Sequence, residues 1–541
     1  MTRRNFGSAK VESRSSAKDR RLASSFAGFL LILLYPVLGM LWHHAYPVLS
    51  PEIGLIALGT VLIACTLALL LRYTGPGVGN LLISLLVTVA FMIHFNLLFV
   101  GLAAVLLVAV TLGFILKDRY GELVLIVFAA LIVGSWLDSR LDPATRLTEP
   151  QPLASDGKGP VVHILMDGFM APDGLPKDEA SEALRVEVLS FFQEYGFELH
   201  SRAYSHYNST LDSMTRALNF RNDDANLFHQ ATVLREELAF RDNAWFEVLE
   251  GTGRDIHVYQ SESLDFCTVP TIRNLHCNVF PIPNLKTVNR EVNELHLRVE
   301  VLMRTLASQS VILTQILRDA RILDTWGVSI YDERLLPKLA TDLSTRPGDA
   351  FFAHVLIPHS PFVYTEDCSI DYGGESRTRW AYVGGGGAND PESRTLRYQK
   401  YIAQSRCAMK LLRNLFEDMK SGELFNQATL IIHGDHGSSA HVYAPYVQNM
   451  NRVTQRDLLE AFSTLFAVKW PGGQPEIVEE VESLNVLMAG VAGRIAGEGV
   501  GAIGDTVETE PEPFIYMLGN EPLTRFYVNI FESPDQTRRH Q

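Results

Sequence analysis

Ala428–Gly437 reads ATLIIHGDHG, a short apolar run that breaks at once into His433, Gly434, Asp435, His436 and Gly437. Two other stretches share this design. Val161–Met166 (VVHILM) runs straight into Asp167 and Gly168. Ala350–Leu356 leads to Ile357, Pro358, His359, Ser360, Pro361 and Phe362. Short apolar runs closed by turn residues fit buried parallel strands. Between them, Glu179–Tyr195 and Leu396–Lys420 carry helical periodicity. Strands alternating with helices predict an α/β/α domain on a mainly parallel sheet.

In such sheets, sites form at the carboxyl ends of the strands. Asp167, His359, Asp435 and His436 all fall there. Taken singly, an Asp after a strand is a cap or turn residue, and a lone His is a satisfied structural residue. Three strands delivering Asp or His to one sheet edge point instead to a site. Asp167 with the adjacent Asp435–His436 is a mixed oxygen and nitrogen ligand set suited to one divalent metal, Zn²⁺ or Mn²⁺.

Ahead of this domain the chain is apolar. A bilayer crossing needs roughly 20 apolar residues. Leu22–Trp42 and Ile53–Leu71 each qualify. Val78–Leu116 is too long for one crossing and divides near His94–Asn96, and Leu123–Leu137 is the last and shortest span. These make an all-α bundle of about five helices. Lys and Arg favour the cytoplasmic side of short loops. Arg3, Arg4, Lys10, Arg14, Lys18, Arg20 and Arg21 put the N-terminus inside, Arg72 and Lys117–Arg119 fall inside, and His43–Glu52 carries no Lys or Arg. An odd number of spans then leaves everything after Asp138 outside. A cleaved signal peptide would account for the first span alone. The expected organisation is a basic cytoplasmic arm over 1–21, a transmembrane bundle over 22–138, a polar Pro/Gly/Ser-rich linker over 139–160 and an extracytoplasmic catalytic domain over 161–541. Gly384–Gly387 reads as a loop.

The whole chain has 541 residues, is 47% hydrophobic and carries a formal net charge of −14. With the N-terminal arm basic, the acidic excess lies in the C-terminal domain. A protein that tracks phosphates needs a basic face, so nucleic acid is excluded as a partner. Of the five cysteines, Cys65 sits in an apolar span, and Cys267, Cys277, Cys368 and Cys407 lie in the polar domain. None forms a CxxC pair, which argues against a zinc ribbon. In an oxidising compartment two disulfides are expected. Cys267 with Cys277 closes a short loop, and Cys368 with Cys407 remains. In a cytosolic domain all four would be thiols.

The ordered set resembles the alkaline-phosphatase superfamily: strand-Asp-Gly, a Ser/Thr-rich segment about forty residues later, strand-x-Pro-His-x-Pro, then strand-Gly-Asp-His-Gly. The branch it resembles is the membrane-anchored sulfatase-like proteins, among them phosphoethanolamine transferases and lipoteichoic acid synthases. The resemblance implies a metal held by Asp167, Thr210, Asp435 and His436. Within His206–Arg216 (HYNSTLDSMTR), Thr210-Leu211-Asp212-Ser213 matches the family's Thr-x-x-Ser around its nucleophile. His359 and His441 resemble the histidines that bind substrate oxygens or protonate the leaving group, although His441 stands closer to the Asp-His pair than in the phosphoethanolamine enzymes. The formylglycine motif Cys/Ser-x-Pro-x-Arg of true sulfatases is absent. A single Asp167 replaces their adjacent acids, which suggests one tightly held metal.

The resemblance implies phosphoryl-group transfer, of phosphoethanolamine or phosphoglycerol type, from a membrane phospholipid to an envelope glycolipid or glycan through a phospho-threonine. It also implies a bacterial-type inner membrane location with the catalytic domain periplasmic. Thr is a poor nucleophile unless activated, and a divalent cation can activate it. The alternatives are a phosphodiesterase or sulfuric ester hydrolase, or a catalytically inactive envelope-assembly protein. The last would lack a ligand or the nucleophile, and neither is missing.

Overall fold

Long uncharged runs become helices because a helix satisfies its own backbone polar groups where water is absent. A computed structural model describes residues 6–73, 76–95, 99–141, 159–225, 227, 238–282, 285–310, 333–360, 362–371, 391–497, 513–519 and 522–532. Its first elements are α1 (Phe6–His43), α2 (Pro51–Tyr73), α3 (Pro76–Phe95), α4 (Phe99–Leu116) and α5 (Tyr120–Leu141). Among the described residues, four helices, those holding Ala23–His43, Pro51–Leu70, Gly77–Phe95 and Tyr120–Leu137, are long and apolar enough to cross a membrane. The apolar helix Val100–Leu116 falls just short of that length. Phe29, Ile32, Tyr35, Ala64, Ile83, Ala90, Tyr120 and Phe128 pack inward. Leu58, Leu62, Leu107, Phe114 and Ile126 are each more than half exposed. Such a surface is a liability in water and at home in hydrocarbon. Residues 6–21, read as an arm, continue α1, and Ser139–Leu141, read as linker, continue α5. The rest of the linker through residue 158, and Gly384–Gly387, lie outside the described residues.

The chain forms two compact units, Met1–Ala144 with Asn284–Val328, and Thr145–Pro283 with Ser329–Gln541. The sequence reading runs one domain from 161 to 541. The structure instead returns α9 (Leu285–Glu291) and α10 (Leu295–Ser308) to the first unit. A buried acid at the start of α2 accounts for this. Glu52 has no exposed surface. It accepts hydrogen bonds from Asn289 Nδ2 at 3.1 Å and from the Tyr46 hydroxyl, and Arg298 Nη1 lies 3.7 Å away. A buried carboxylate requires such partners, and α9 and α10 bring Asn289 and Arg298.

The second unit is built on one sheet of β1 (Val161–Met166), β2 (Glu198–Tyr204), β3 (Ile256–Ser261), β4 (Leu275–Phe280), β5 (Ala350–Val355), β6 (Thr429–His433), β7 (Phe466–Lys469) and β8 (Glu476–Ser483). Their order is β4-β3-β5-β1-β6-β7-β2-β8. Every pairing is parallel except those of β7 with β6 and with β2. β1, β3 and β5 are buried along their whole length, as strands covered on both faces must be. On one face, α7 (Thr210–Ala217), α8 (Ala244–Gly251) and α14 (Leu484–Ala496) bring Met214, Trp245, Phe246 and Met488 against Leu165, Phe352 and Ile431. On the other lie α6 (Glu179–Glu194), α11 (Leu335–Thr345) and the long α12 (Pro391–Ser421), with Phe191 of α6 stacked on Phe416 of α12. α13 (Gln455–Phe462) precedes β7, and β9 (Phe514–Met517) pairs with β10 (Thr524–Tyr527) in a separate hairpin. Both expected disulfides are present. Their Cα atoms are 6.1 Å apart for Cys267–Cys277 and 5.0 Å for Cys368–Cys407, within bridging reach.

Candidate active site

β1 lies between β5 and β6 and runs parallel to both. Residues leaving the carboxyl ends of adjacent parallel strands emerge side by side, so Asp167, His359 and the Asp435–His436 pair meet. The glycines around that pair permit a close backbone approach. A Cβ on Gly434 would run into the Phe169 carbonyl oxygen, and one on Gly437 into that of Glu460.

The ligand atoms of Asp167, Asp435 and His436 lie within 4.8 Å of one another, and all three residues are buried. His436 Nε2 is 3.8 Å from Asp167 Oδ1 and 3.1 Å from Asp435 Oδ2. Both carboxylate oxygens are buried without a hydrogen-bond partner. The opposite oxygens are engaged. Gly168 N donates to Asp435 Oδ1 at 2.9 Å, and Asp167 Oδ2 lies 3.2 Å from His354 Nε2. His436 Nδ1 is 2.8 Å from the Gly437 carbonyl oxygen. A carbonyl only accepts, so Nδ1 carries a proton and Nε2 is the nitrogen that faces the carboxylates. Two orphaned carboxylate oxygens and an imidazole nitrogen converging in a buried space could hold a cation between them. The donor set fits a divalent metal, and Nδ1 is anchored as ligating imidazoles are.

Electrostatics agree. Burial raises the Asp167 carboxyl, but His359, His354 and His436 outweigh it and hold the group well below the usual carboxylate range. Burial lowers His436, but the Asp435 and Asp167 carboxylates outweigh that and raise it.

Thr210 opens α7 directly after its N-cap, Ser209. Thr210 Oγ1 lies 3.5 Å from Asp167 Oδ2 and 3.4 Å from His436 Nε2. Both distances exceed an ordinary hydroxyl bond, so the hydroxyl is committed to neither. The neighbouring hydroxyls are occupied. Ser209 Oγ donates to Asp212 Oδ2 at 2.7 Å and accepts from Asp212 N at 3.3 Å, as a cap does. Ser213 Oγ donates to the Asp435 carbonyl at 2.6 Å and sits 2.8 Å from Ser205 Oγ.

His359 Nε2 stands 3.9 Å from Asp167 Oδ1, and its side chain is 30% exposed, so it borders both the carboxylate and open space. Burial pushes His441 down to about 4, opposed by the Asp457 carboxylate and helped by the charges of Arg397, Arg394 and His436. Among the described residues it makes no hydrogen bond to Asp167, Thr210, Asp435 or His436, and its Nδ1 is buried without a partner. His354 escaped the sequence reading. It lies inside the apolar run of β5 with no exposed surface, next to Asp167. A histidine in an otherwise apolar strand that precedes the His359 loop was the available signal.

No family model and no curated protein matches this chain. Solved structures are similar to it. A phosphonate monoester hydrolase of Agrobacterium radiobacter is 11% identical with a TM-score of 0.39, over 66% of this chain and 80% of that one. The lipoteichoic acid synthase LtaP from Listeria monocytogenes is 10% identical with a TM-score of 0.37, over 73% and 93%. A protein in the alkaline phosphatase superfamily from Vibrio parahaemolyticus is 13% identical with a TM-score of 0.39, over 70% and 78%.

Proposed function

We propose that this protein is a membrane-anchored, metal-dependent enzyme that moves a phosphoethanolamine- or phosphoglycerol-type group from a membrane phospholipid to an envelope glycolipid or glycan. In this reading the catalytic unit faces the periplasmic side of a bacterial-type inner membrane. The observation that carries it is the Thr210 hydroxyl, uncommitted and facing Asp167 and His436, while Ser209 and Ser213 are occupied elsewhere.

Asp167, Thr210, Asp435 and His436 would hold one divalent metal, Zn²⁺ or Mn²⁺. When bound, it supplies positive charge that lowers the pKa of a neighbouring hydroxyl and offsets charge on a phosphoryl group. Thr210 Oγ, its proton lost to water, attacks the donor phosphorus. The bond from phosphorus to the lipid oxygen breaks, and His359 in its protonated form gives that oxygen a proton. An acceptor hydroxyl then attacks the Thr210 phosphoester, its proton passing to His359, which has given up its own, and Thr210 Oγ leaves and takes a proton from water. His441, hydrogen-bonded to none of the four, is assigned to the binding of substrate oxygens. The apolar helices favour a lipid donor, because a tether raises its effective concentration.

The test is mass spectrometry of Thr210 after the purified full chain, loaded with Zn²⁺ or Mn²⁺, meets phospholipid vesicles. A phosphoryl-type adduct on the peptide holding Thr210, absent in Thr210→Ala and formed at a lower level in Thr210→Ser, is expected. An adduct on Ser209, or none on any donor lipid, refutes the assignment.

A further inference from the structure

His359 is held in place from behind. Its Nε2 faces Asp167 Oδ1 at 3.9 Å, and its Nδ1 is buried with no hydrogen-bond partner. The ring itself is therefore weakly tethered, and its position is set by its backbone. That backbone is gripped by one side chain of α12. Gln404 Nε2 donates to the His359 carbonyl oxygen at 2.8 Å. Gln404 Oε1 accepts from Val363 N at 2.9 Å and from Tyr364 N at 3.1 Å. The amide thus clamps the two sides of the turn that carries His359, and it is only 1% exposed.

The neighbours of Gln404 along α12 extend this grip. Residues three apart share a helix face, and Tyr398, Tyr401, Gln404 and Cys407 form one such stripe. The Tyr398 hydroxyl touches Met170 Sδ at 3.9 Å. The Tyr401 hydroxyl accepts from Met170 N at 2.9 Å and donates to the Gly168 carbonyl at 3.4 Å, holding the turn that follows Asp167. Cys407 is bridged to Cys368, downstream of the His359 turn. A single rigid helix therefore spaces the Asp167 turn from the His359 turn. His359 and Gly168 also pack backbone to backbone, since a Cβ on Gly168 would sit 3.5 Å from the His359 Cα.

We infer that Gln404 is a positioning residue for His359, and that the Tyr401–Gln404 face of α12 sets the distance from His359 to the Asp167 carboxylate. The inference rests on the proposed role of His359 in protonating the leaving group. Gln404 meets no reacting atom and acts through that histidine. Its requirement is specific. The turn needs one donor toward the His359 carbonyl and one acceptor shared by two N–H groups, which an amide supplies and a thioether does not.

The experiment uses the full chain in detergent, loaded with Zn²⁺ or Mn²⁺, and the activated diester bis-para-nitrophenyl phosphate as probe. Four proteins are compared: unchanged, Gln404→Met, His359→Ala and the double variant. Displacing a reacting group by about 1 Å costs about a hundredfold. Gln404→Met is expected to lower kcat by about that factor, with KM and bound metal unchanged. In the His359→Ala background the same change should do almost nothing, because groups acting in series are not additive. Gln404→Glu keeps the acceptor but sets a carboxylate against the His359 carbonyl. Its turnover relative to the unchanged protein should rise as the pH falls, as the protonated acid regains a donor. This second variant, read with the disulfide content and thermal midpoint, separates positioning from misfolding. Equal losses from Gln404→Met in both backgrounds, or no loss at all, overturn the inference and leave the role of His359 standing. A His359→Ala protein as fast as the unchanged one, or an unchanged protein inert toward the diester while Thr210 takes no adduct, overturns the functional reading and this inference with it.

Discussion

Replacing Arg216 by Met tests how the segment carrying Thr210 is held. Arg216 has no exposed surface. Its guanidinium donates to Asp212 Oδ1 at 3.0 Å, the Asp212 carbonyl at 3.2 Å, Asp223 Oδ1 at 3.1 Å and the Ala225 carbonyl at 2.6 Å. It also lies 4.9 Å above the Tyr207 ring. Asp212, itself 1% exposed, accepts from Leu227 N at 2.9 Å and from the Ser209 hydroxyl at 2.7 Å. The cluster thus ties the start of α7 to the chain that follows it. Met fills much of the volume but leaves Asp212 as a buried carboxylate without its cation, which costs about 3–5 kcal/mol. Asp223 has a side chain 37% exposed and can turn to water at little cost. The loss therefore comes from Asp212, and adding Asp212→Asn to Arg216→Met should recover most of it. Denaturant midpoints of the full chain, followed by tryptophan fluorescence, measure this for the four proteins of the cycle. A single variant within about 0.5 kcal/mol of the unchanged protein, the range of ordinary surface changes, would refute the reasoning. So would a double variant no better than the single one.

Three further outcomes are expected. His354→Ala removes the partner of Asp167 Oδ2 and should weaken metal binding by about 10–100-fold; competition with a chelator reads this, and unchanged affinity would show that His354 does not support the ligand. Burial holds His206, His433 and His441 down to about 4 and His163 well below its ordinary 6.5. The unfolded chain therefore binds more protons between those values, so stability is present above pH 6.5 and is lost as the pH falls toward 4; a metal-free thermal midpoint flat across that window contradicts this. Replacing both cysteines of a bridge by Ser should cost about 3 kcal/mol for Cys267–Cys277, separated by 10 residues, and about 4 kcal/mol for Cys368–Cys407, separated by 39, on chain-entropy grounds. The order of the two denaturant midpoints is the check.

Much of this molecule is local, and local features are legible in sequence. Whether Val161–Met166 or Ala428–Ile432 becomes a strand depends on apolar run length and the turn residues that close it, so β1 and β6 were readable to within a residue. Asp167, His359, Asp435 and His436 were readable as a group because they fall just past the carboxyl ends of β1, β5 and β6, where sites gather in parallel sheets. The apolar helices were readable because the bilayer requires length and composition more than any partner. What the chain order does not contain is adjacency. That β1 lies between β5 and β6 depends on strand pairing between residues as far apart in the chain as Val161 with Ala350 and Val161 with Thr429. Only that pairing brings His354 onto Asp167. Glu52 shows the same limit. Its partners Asn289 and Arg298 lie far along the chain, and a buried charge chooses its partners by proximity after folding, which periodicity along a sequence cannot express. Gln404 reads as one more polar residue on an amphipathic helix. Only the packed turn opposite it decides that its amide must face inward.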